Sequence, residues 1–191
     1  MGIDRKAKIL EAAKKTFSLF GYKATTMDQV ASAANVGKGT IYLFFASKEE
    51  LFNEIVQSII EEIKEVARES FDPEKPFYEN IHRAIYRVLD FRRNHELTIK
   101  LSQEVKEMRT PAAQEAMRKV EETVLSFLKG EIQKSMDKGW IKPCDPELTA
   151  FVILKLYIAL IFEWEQNHEP LSKEKIAELF YLYFIKGLRT V

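Results

Sequence analysis

The stretch Gly37-Lys-Gly-Thr-Ile-Tyr-Leu-Phe-Phe-Ala-Ser-Lys48 concentrates side chains suited to meeting a polyanion. Lys38 and Lys48 supply positive charge. Thr40 carries a hydroxyl that can donate to or accept from a base edge and a methyl that can touch a thymine methyl, and Tyr42 offers a hydroxyl at the reach of a phosphate oxygen. Gly37 and Gly39 let backbone N–H groups approach phosphates or base edges closely. Leu43 and Phe44 have no hydrogen bond to offer, so apolar contact with thymine methyls is their available chemistry. Thr25 and Thr26 open the preceding helix, where free N–H groups and the helix dipole favour an anion. No acid lies between Asp28 and Glu49, as a surface facing phosphate requires.

Other chemistry has little to stand on. His82, His95 and His168 have no second histidine or cysteine at ligand spacing, so they read as surface histidines and no metal is expected. Cys144 is the single cysteine, which excludes an internal disulfide and multi-cysteine zinc patterns and fits a reducing, cytoplasmic setting. Glu163 and Glu165 stand two apart on a helix and do not face each other. No nucleophile and base motif, phosphate loop or metal pattern supports catalysis, so neither an enzyme nor a cofactor is expected.

With 191 residues, 46% apolar and 30% charged, the composition is that of a soluble globular protein large enough to bury a core. Its 29 basic residues cancel 29 acidic ones, and an even spread would argue against a nucleic-acid binder. The spread is uneven. Residues 1–48 hold eight basic side chains against three acids, a net of +5, which leaves −5 on the rest. A basic end on an acidic body is the footprint of a segment that faces nucleic acid. The opening MGIDRKAKIL lacks the apolar stretch of a secretory signal, so a cytoplasmic location is expected.

These side chains need helices to position them, and the apolar spacing is helical almost throughout, which gives an all-α fold. A first helix is expected to bury Ile9, Ala13, Phe17 and Phe20 and to stop at Gly21. Thr26-Met-Asp-Gln29 has the form of a capping box and starts a short second helix, which breaks at Asn35-Val36-Gly37. A third runs over 38–45. Helix, three-residue turn and helix within 26–45 is the geometry of a helix-turn-helix, whose second helix enters a DNA major groove. Ser47-Lys-Glu-Glu50 caps a long helix over 48–70, ended by Pro73 and Pro76. Later stripes run through Phe77, Ile81, Ile85 and Leu89, then Leu97, Leu101, Val105 and Met108, then from Ala113 to Ile132. The last two helices differ. Ala150 to Phe162 is apolar except at Lys155, and Leu179 to Ile185 is apolar or aromatic throughout. The first of these runs falls short of the roughly 20 residues that span a bilayer, so no membrane partner is expected. Neither helix can hide both faces in one subunit of this size, which implies a homodimer through them; the alternative makes both the central core helices of a monomer.

Residues 3–63 resemble the TetR (tetracycline-repressor) family of bacterial transcription regulators. The resemblance rests on Ile9-Leu-Glu-Ala-Ala13, Phe17, Gly21-Tyr22, Thr25-Thr26, Val30-Ala31, Val36, Lys38-Gly39-Thr40-Ile41-Tyr42, Phe45 and Ser47-Lys48-Glu49-Glu50-Leu51. The chain departs from the family at Asn35, where a glycine is usual, and at Leu43-Phe44, where members often carry His or Tyr and then Tyr. Base readout is therefore expected to concentrate on Gly37, Lys38, Thr40 and Tyr42.

The resemblance implies a three-helix DNA-binding domain over 3–63, joined by the long fourth helix to a five- or six-helix ligand-binding and dimerisation domain over 64–191. It implies a ligand-responsive regulator, a repressor released from a palindromic double-stranded operator when a small apolar or aromatic molecule binds the second domain. The inward stripes of that domain propose a lining: Tyr78, Ile81, Ile85 and Leu89; Leu101 and Met108; Met117, Val120, Val124 and Phe127; and Phe151, Leu154, Tyr157 and Ile158. The competing possibility is an all-α small-molecule-binding or protein-interaction protein that does not bind DNA.

Overall fold

The computed structural model describes residues 2–93 and 96–188, and His95 lies outside the described residues. Nine principal helices follow in order among them: α1 (Gly2–Ala24), α2 (Met27–Ala33), α3 (Lys38–Phe44), α4 (Lys48–Ser70), α5 (Phe77–Arg93), α6 (Glu96–Met108), α7 (Pro111–Asp137), α8 (Pro146–Ile158) and α9 (Lys173–Phe180). Helix α8 runs on through a π-helical turn, Ala159–Glu163, and a 3-10 turn, Trp164–Gln166. Helix α9 continues likewise through a π-helical turn, Tyr181–Ile185, and the short helix Lys186–Leu188. The all-α expectation agrees with this architecture.

Local chemistry sets the boundaries. Thr26 Oγ1 accepts from Gln29 N at 3.2 Å while Gln29 Oε1 accepts from Thr26 N at 2.8 Å, so both halves of the capping box form. Asp145 Oδ1 accepts from Glu147 N and Leu148 N ahead of Pro146, and Ser172 Oγ accepts from Lys175 N. At Ser47 the cap takes a variant form. Ser47 Oγ accepts from Glu50 N, but the Glu50 carboxylate reaches one residue further back, to Ala46 N at 2.7 Å. The buried side chain of Asn80 holds the proline linker: its Oδ1 accepts from Asp72 N, and its Nδ2 donates to Asp72 O and Lys75 O.

Asn35 takes a left-handed conformation, φ 53°, in the turn between α2 and α3. Among residues with a Cβ, Asn is one of the few that adopt this conformation at modest cost. Asn35→Ala is therefore expected to cost about 1 kcal/mol, and Asn35→Gly to be neutral or stabilising. Denaturant midpoints of the two variants check this, and equal stability of both would contradict a backbone origin.

The helices gather into two compact units, Met1–Glu62 with Asn94–Val120 and Ile63–Arg93 with Glu121–Val191. In the first, α1 packs on α6 and α2, and α2 on α3. Its core joins Ile9, Ala13 and Phe17 of α1 to Val30 and Ala31 of α2, Ile41 of α3, Leu51, Phe52, Ile55 and Ile59 of α4, and Leu97 and Leu101 of α6. In the second, Phe77, Ile81, Ile85 and Leu89 of α5 form one core with Leu128 and Ile132 of α7, Ala150 and Ile153 of α8, Ile161, and Ile176 and Phe180 of α9.

Two expectations about buried faces need correction. Phe20 is 51% exposed; the inward row continues 9, 13, 17 and 21 in steps of four, so buried Gly21 takes the position assigned to Phe20. On α6 the buried row is Leu97, Leu101 and Glu104, with Val105 only half-buried and Met108 exposed. A step of three from Leu101 reaches Glu104, and that carboxylate finds donors inside.

Candidate nucleic-acid interface

Ile41 anchors α3 inward with no measurable exposure, and Val30 and Ala31 do the same for α2. That anchoring fixes which residues of α3 face solvent. Leu43 is 83% exposed and Tyr42 45%, while Thr40 and Phe44 are half-buried. Gly37 caps α3 without a side-chain hydrogen bond, no acid occupies the first turn, and Gly39 is exposed. The outer face of α3 therefore presents an exposed leucine beside an exposed tyrosine.

Lys38 is exposed and pairs with Asp28 of α2, Nζ to Oδ2 at 2.9 Å. The hydrogen bond it donates to Asp28, reinforced by the carboxylate's charge, holds the ammonium above its ordinary range. Exposed pairs of this kind are weak, and a phosphate can displace the carboxylate.

Thr25, Thr26 and Lys48 have structural duties. Thr25 is fully buried; its hydroxyl donates to Gly21 O at 2.7 Å, so the side chain closes the end of α1 and cannot reach DNA from this position, a correction to its placement among the contacts. Thr26 is exposed, but its N–H and its hydroxyl are engaged with Gln29. Lys48 Nζ donates to Tyr22 O and Thr25 O, both at 2.9 Å, and sits 4.3 Å from the centre of the Tyr22 ring. Two of its three N–H donors are thereby occupied. Burial, with Glu49 and then Glu104 adding negative charge, pushes the Tyr22 phenol above its usual range.

Sequence reasoning missed Glu104. Its carboxylate accepts from Tyr22 N at 2.7 Å and Lys23 N at 3.1 Å, immediately before the helix-turn-helix. The signal available was an acid at a position three after Leu101, within a row otherwise apolar.

The residues expected to line an effector pocket disperse. Ile81, Ile85 and Leu89 are packed in the core of the second unit, with Tyr78, Val124 and Tyr157 against it. Leu154 is buried, Ile158 is half-buried and Phe151 is 45% exposed. Leu101, Met108, Met117 and Val120 belong to the first unit, Leu101 buried and Met108 exposed. The second unit has a cleft of about 500 Å³ bordered by Phe71, Phe127 and Trp140 and by Arg68, Lys134 and Lys138, among others. Of the expected residues, Phe127 borders this cleft, edge-on to Phe71 at 5.0 Å between ring centres.

His82 lies against Tyr86 and His168 stacks on Trp164, while Cys144 is half-buried with Sγ 3.6 Å from Met136 Sδ. Among the described residues there is no group of three or more His, Cys, Asp and Glu able to hold a metal ion, and no helix long and apolar enough to cross a membrane.

An α2 anchored by buried Met27, Val30 and Ala31, a turn through left-handed Asn35 and an α3 with an uncovered outer face make a helix-turn-helix. The pattern of bacterial regulatory proteins of the tetR family matches residues 9–55. Over 188 residues the chain is 59% identical to the uncharacterized HTH-type transcriptional regulator YhgD of Bacillus subtilis (strain 168), covering 98% of each. It is 39% identical over 57 residues to the regulator RutR of Escherichia coli (strain K12), covering 30% of this chain and 27% of RutR. The chain belongs to the TetR family, and its relatives are transcriptional regulators, not enzymes.

Solved structures share the fold along its length. SmeT, the repressor of the Stenotrophomonas maltophilia multidrug efflux pump SmeDEF, superimposes with a TM-score of 0.76 at 16% identity, over 97% of this chain and 90% of SmeT. The fatty acid degradation regulator FadR of Bacillus halodurans gives 0.73 at 19% identity, over 92% of this chain and 93% of FadR.

Proposed function

We propose that this regulator binds a palindromic operator as a homodimer and releases it when a small apolar or aromatic molecule occupies the carboxy-terminal domain. Residues 3–63 serve as the DNA-binding domain and 64–191 as the effector and dimer domain. The observation that carries the DNA half is the outer face of α3, where Tyr42 and Leu43 are exposed beside Lys38 with no acid in the first turn. Thr40 and Tyr42 make polar contacts on this reading, and Leu43 and Phe44 meet thymine methyls.

Support for the dimer is the set of large apolar side chains left uncovered on the last helices: Leu148, Phe151 and Val152, spaced along one face of α8, and Tyr181, Leu182 and Tyr183 after α9. A two-fold assembly would present two copies of α3 about one helical turn of DNA apart, roughly 34 Å. The effector acts by favouring a state in which that separation no longer fits, and it can weaken binding only by as much as it prefers that state. The cleft of the second unit offers such an effector the aromatic faces of Phe71, Phe127 and Trp140, beside the charged Arg68, Lys134 and Lys138.

Selection of duplexes from a random-sequence pool by the full-length protein tests this directly. Enriched sequences are expected to be palindromic, and their affinity to fall steeply with salt as phosphate counterions are released. Lys48→Ala is expected to weaken all sequences alike, and Thr40→Val to change which bases are preferred, as a second round of selection would report. Uniform weakening by both removes Thr40 from base readout. Absence of any enriched duplex leaves the binding-protein alternative in its place.

A further inference from the structure

The corner joining α1 to α2 is gripped from both sides by opposite charges. On its N–H side the Glu104 carboxylate of α6 accepts from Tyr22 N at 2.7 Å and from Lys23 N at 3.1 Å. On its carbonyl side the Lys48 ammonium, at the start of α4, donates to Tyr22 O and Thr25 O. Glu104 is only 6% exposed. A carboxylate withdrawn from water to that degree requires donors in place of the water it lost, and charge-assisted bonds from two backbone N–H groups supply them.

Gly21 makes the approach possible. Its φ of 78° is a left-handed value that favours glycine, and a Cβ there would collide with Glu104 Oε2. Thr25 completes the corner by donating its hydroxyl to Gly21 O. Helices α2 and α3 leave α1 from this corner, so its geometry sets the direction in which α3 points. Helix α6 comes from the middle of the chain, joined to α5 on one side and to α7 on the other.

We propose that Glu104 is a positioning residue for DNA recognition: through its grip on the Gly21–Lys23 corner, α6 holds the helix-turn-helix in the pose that meets the operator, with Lys48 as the opposing jaw. The inference rests on the DNA-binding reading above and adds to it the residue through which α6 acts on the site.

Electrostatics alone gives the opposite sign from this proposal. Removing a negative charge beside the helix-turn-helix should strengthen attraction to phosphate. Glu104→Gln keeps the shape but removes the charge and one of the two acceptor oxygens, so a single neutral carbonyl must serve both backbone N–H groups, one of them at the longer 3.3 Å, with an N–H₂ where the second oxygen stood. In full-length protein, E104Q is expected to bind a duplex enriched by the wild type about tenfold more weakly. The salt slope should stay unchanged, because no phosphate contact is lost. Without DNA, exchange of the Tyr22 and Lys23 amides should quicken by about the same factor, with the Val30 and Ile41 amides unaffected.

Should E104Q fail to fold, Glu104→Asp, which keeps the charge but draws the carboxylate back by one methylene, is read in the same way. E104Q or E104D binding within about twofold of wild type, or more tightly, overturns the proposal alone, since a merely structural carboxylate would give that result. A wild-type protein that enriches no duplex overturns the DNA-binding reading and the proposal together.

Discussion

Phe52→Ala is expected to lower stability by about 3–5 kcal/mol, a large share of the 5–15 kcal/mol that typically separates a folded from an unfolded domain. The Phe52 ring is 1% exposed and lies in the first unit between two others, edge-on to Phe17 at 5.1 Å and tilted against Tyr22 at 4.7 Å. Truncation opens a cavity and removes both ring contacts. The consequence reaches the site because Tyr22 belongs to the corner gripped by Lys48 and Glu104. Loss of specific DNA binding should therefore accompany the loss of stability. Phe52→Leu, closer in volume, should cost far less, on the order of 1 kcal/mol. Calorimetry with operator titration at a temperature where both variants are folded checks the pair. A Phe52→Ala protein within about 1 kcal/mol of wild type would show that the aromatic cluster does not hold this unit together.

The second large effect concerns assembly. Phe151→Glu combined with Leu182→Glu is expected to yield a folded monomer whose operator affinity is lower by roughly two to four orders of magnitude, the contribution of joining two half-site contacts. Both side chains are nearly half exposed in the single chain, at 45% and 49%, so charging them should disturb one subunit little. The same substitutions separate the two explanations for the apolar run in α8. If these were core helices of a monomer, buried charge would unfold the protein. If they form a dimer face, the chain keeps its helical spectrum and sediments at half the mass. A dimer of unchanged affinity would place the interface elsewhere.

Much of the fold was legible along the chain because helix boundaries are written in local chemistry. The Thr26 and Asp145 caps, Pro146 at the first helical position, and Pro73 and Pro76 in the linker act within a few residues, so their types and order suffice. Asn35 at φ 53° is a local matter too. The face of α3 followed as well, since a helix of known register with Ile41 inward leaves Tyr42 and Leu43 outward.

Reasoning failed where a partner distant in sequence decided the outcome. Thr25 reads as a phosphate contact because a threonine near a helix start commonly is one; in the fold its buried hydroxyl bonds Gly21 O instead, and Lys48 gives two of its three donors to carbonyls of the same corner, a duty that spacing does not reveal. The inward stripe of α5 suits a pocket wall and a core equally by spacing, and it is residues of α7, α8 and α9 that pack around Ile81, Ile85 and Leu89. The π-helical turns at Ala159–Glu163 and Tyr181–Ile185 alter the helical phase that a 3.6-residue period assumes, so the exposed faces of the last helices could not be drawn from spacing alone.

The sequence by itself determined the class of fold, the helix-turn-helix and the residues on its outer face, because periodicity and capping depend on neighbours within one or two turns. Only the tertiary structure decided that Glu104, some 80 positions along the chain from Tyr22, bonds the backbone just ahead of the helix-turn-helix. Hydrogen bonds from backbone N–H groups have no side-chain signature, and a buried acid is recognisable as a partner only once the chain has brought its donors to it.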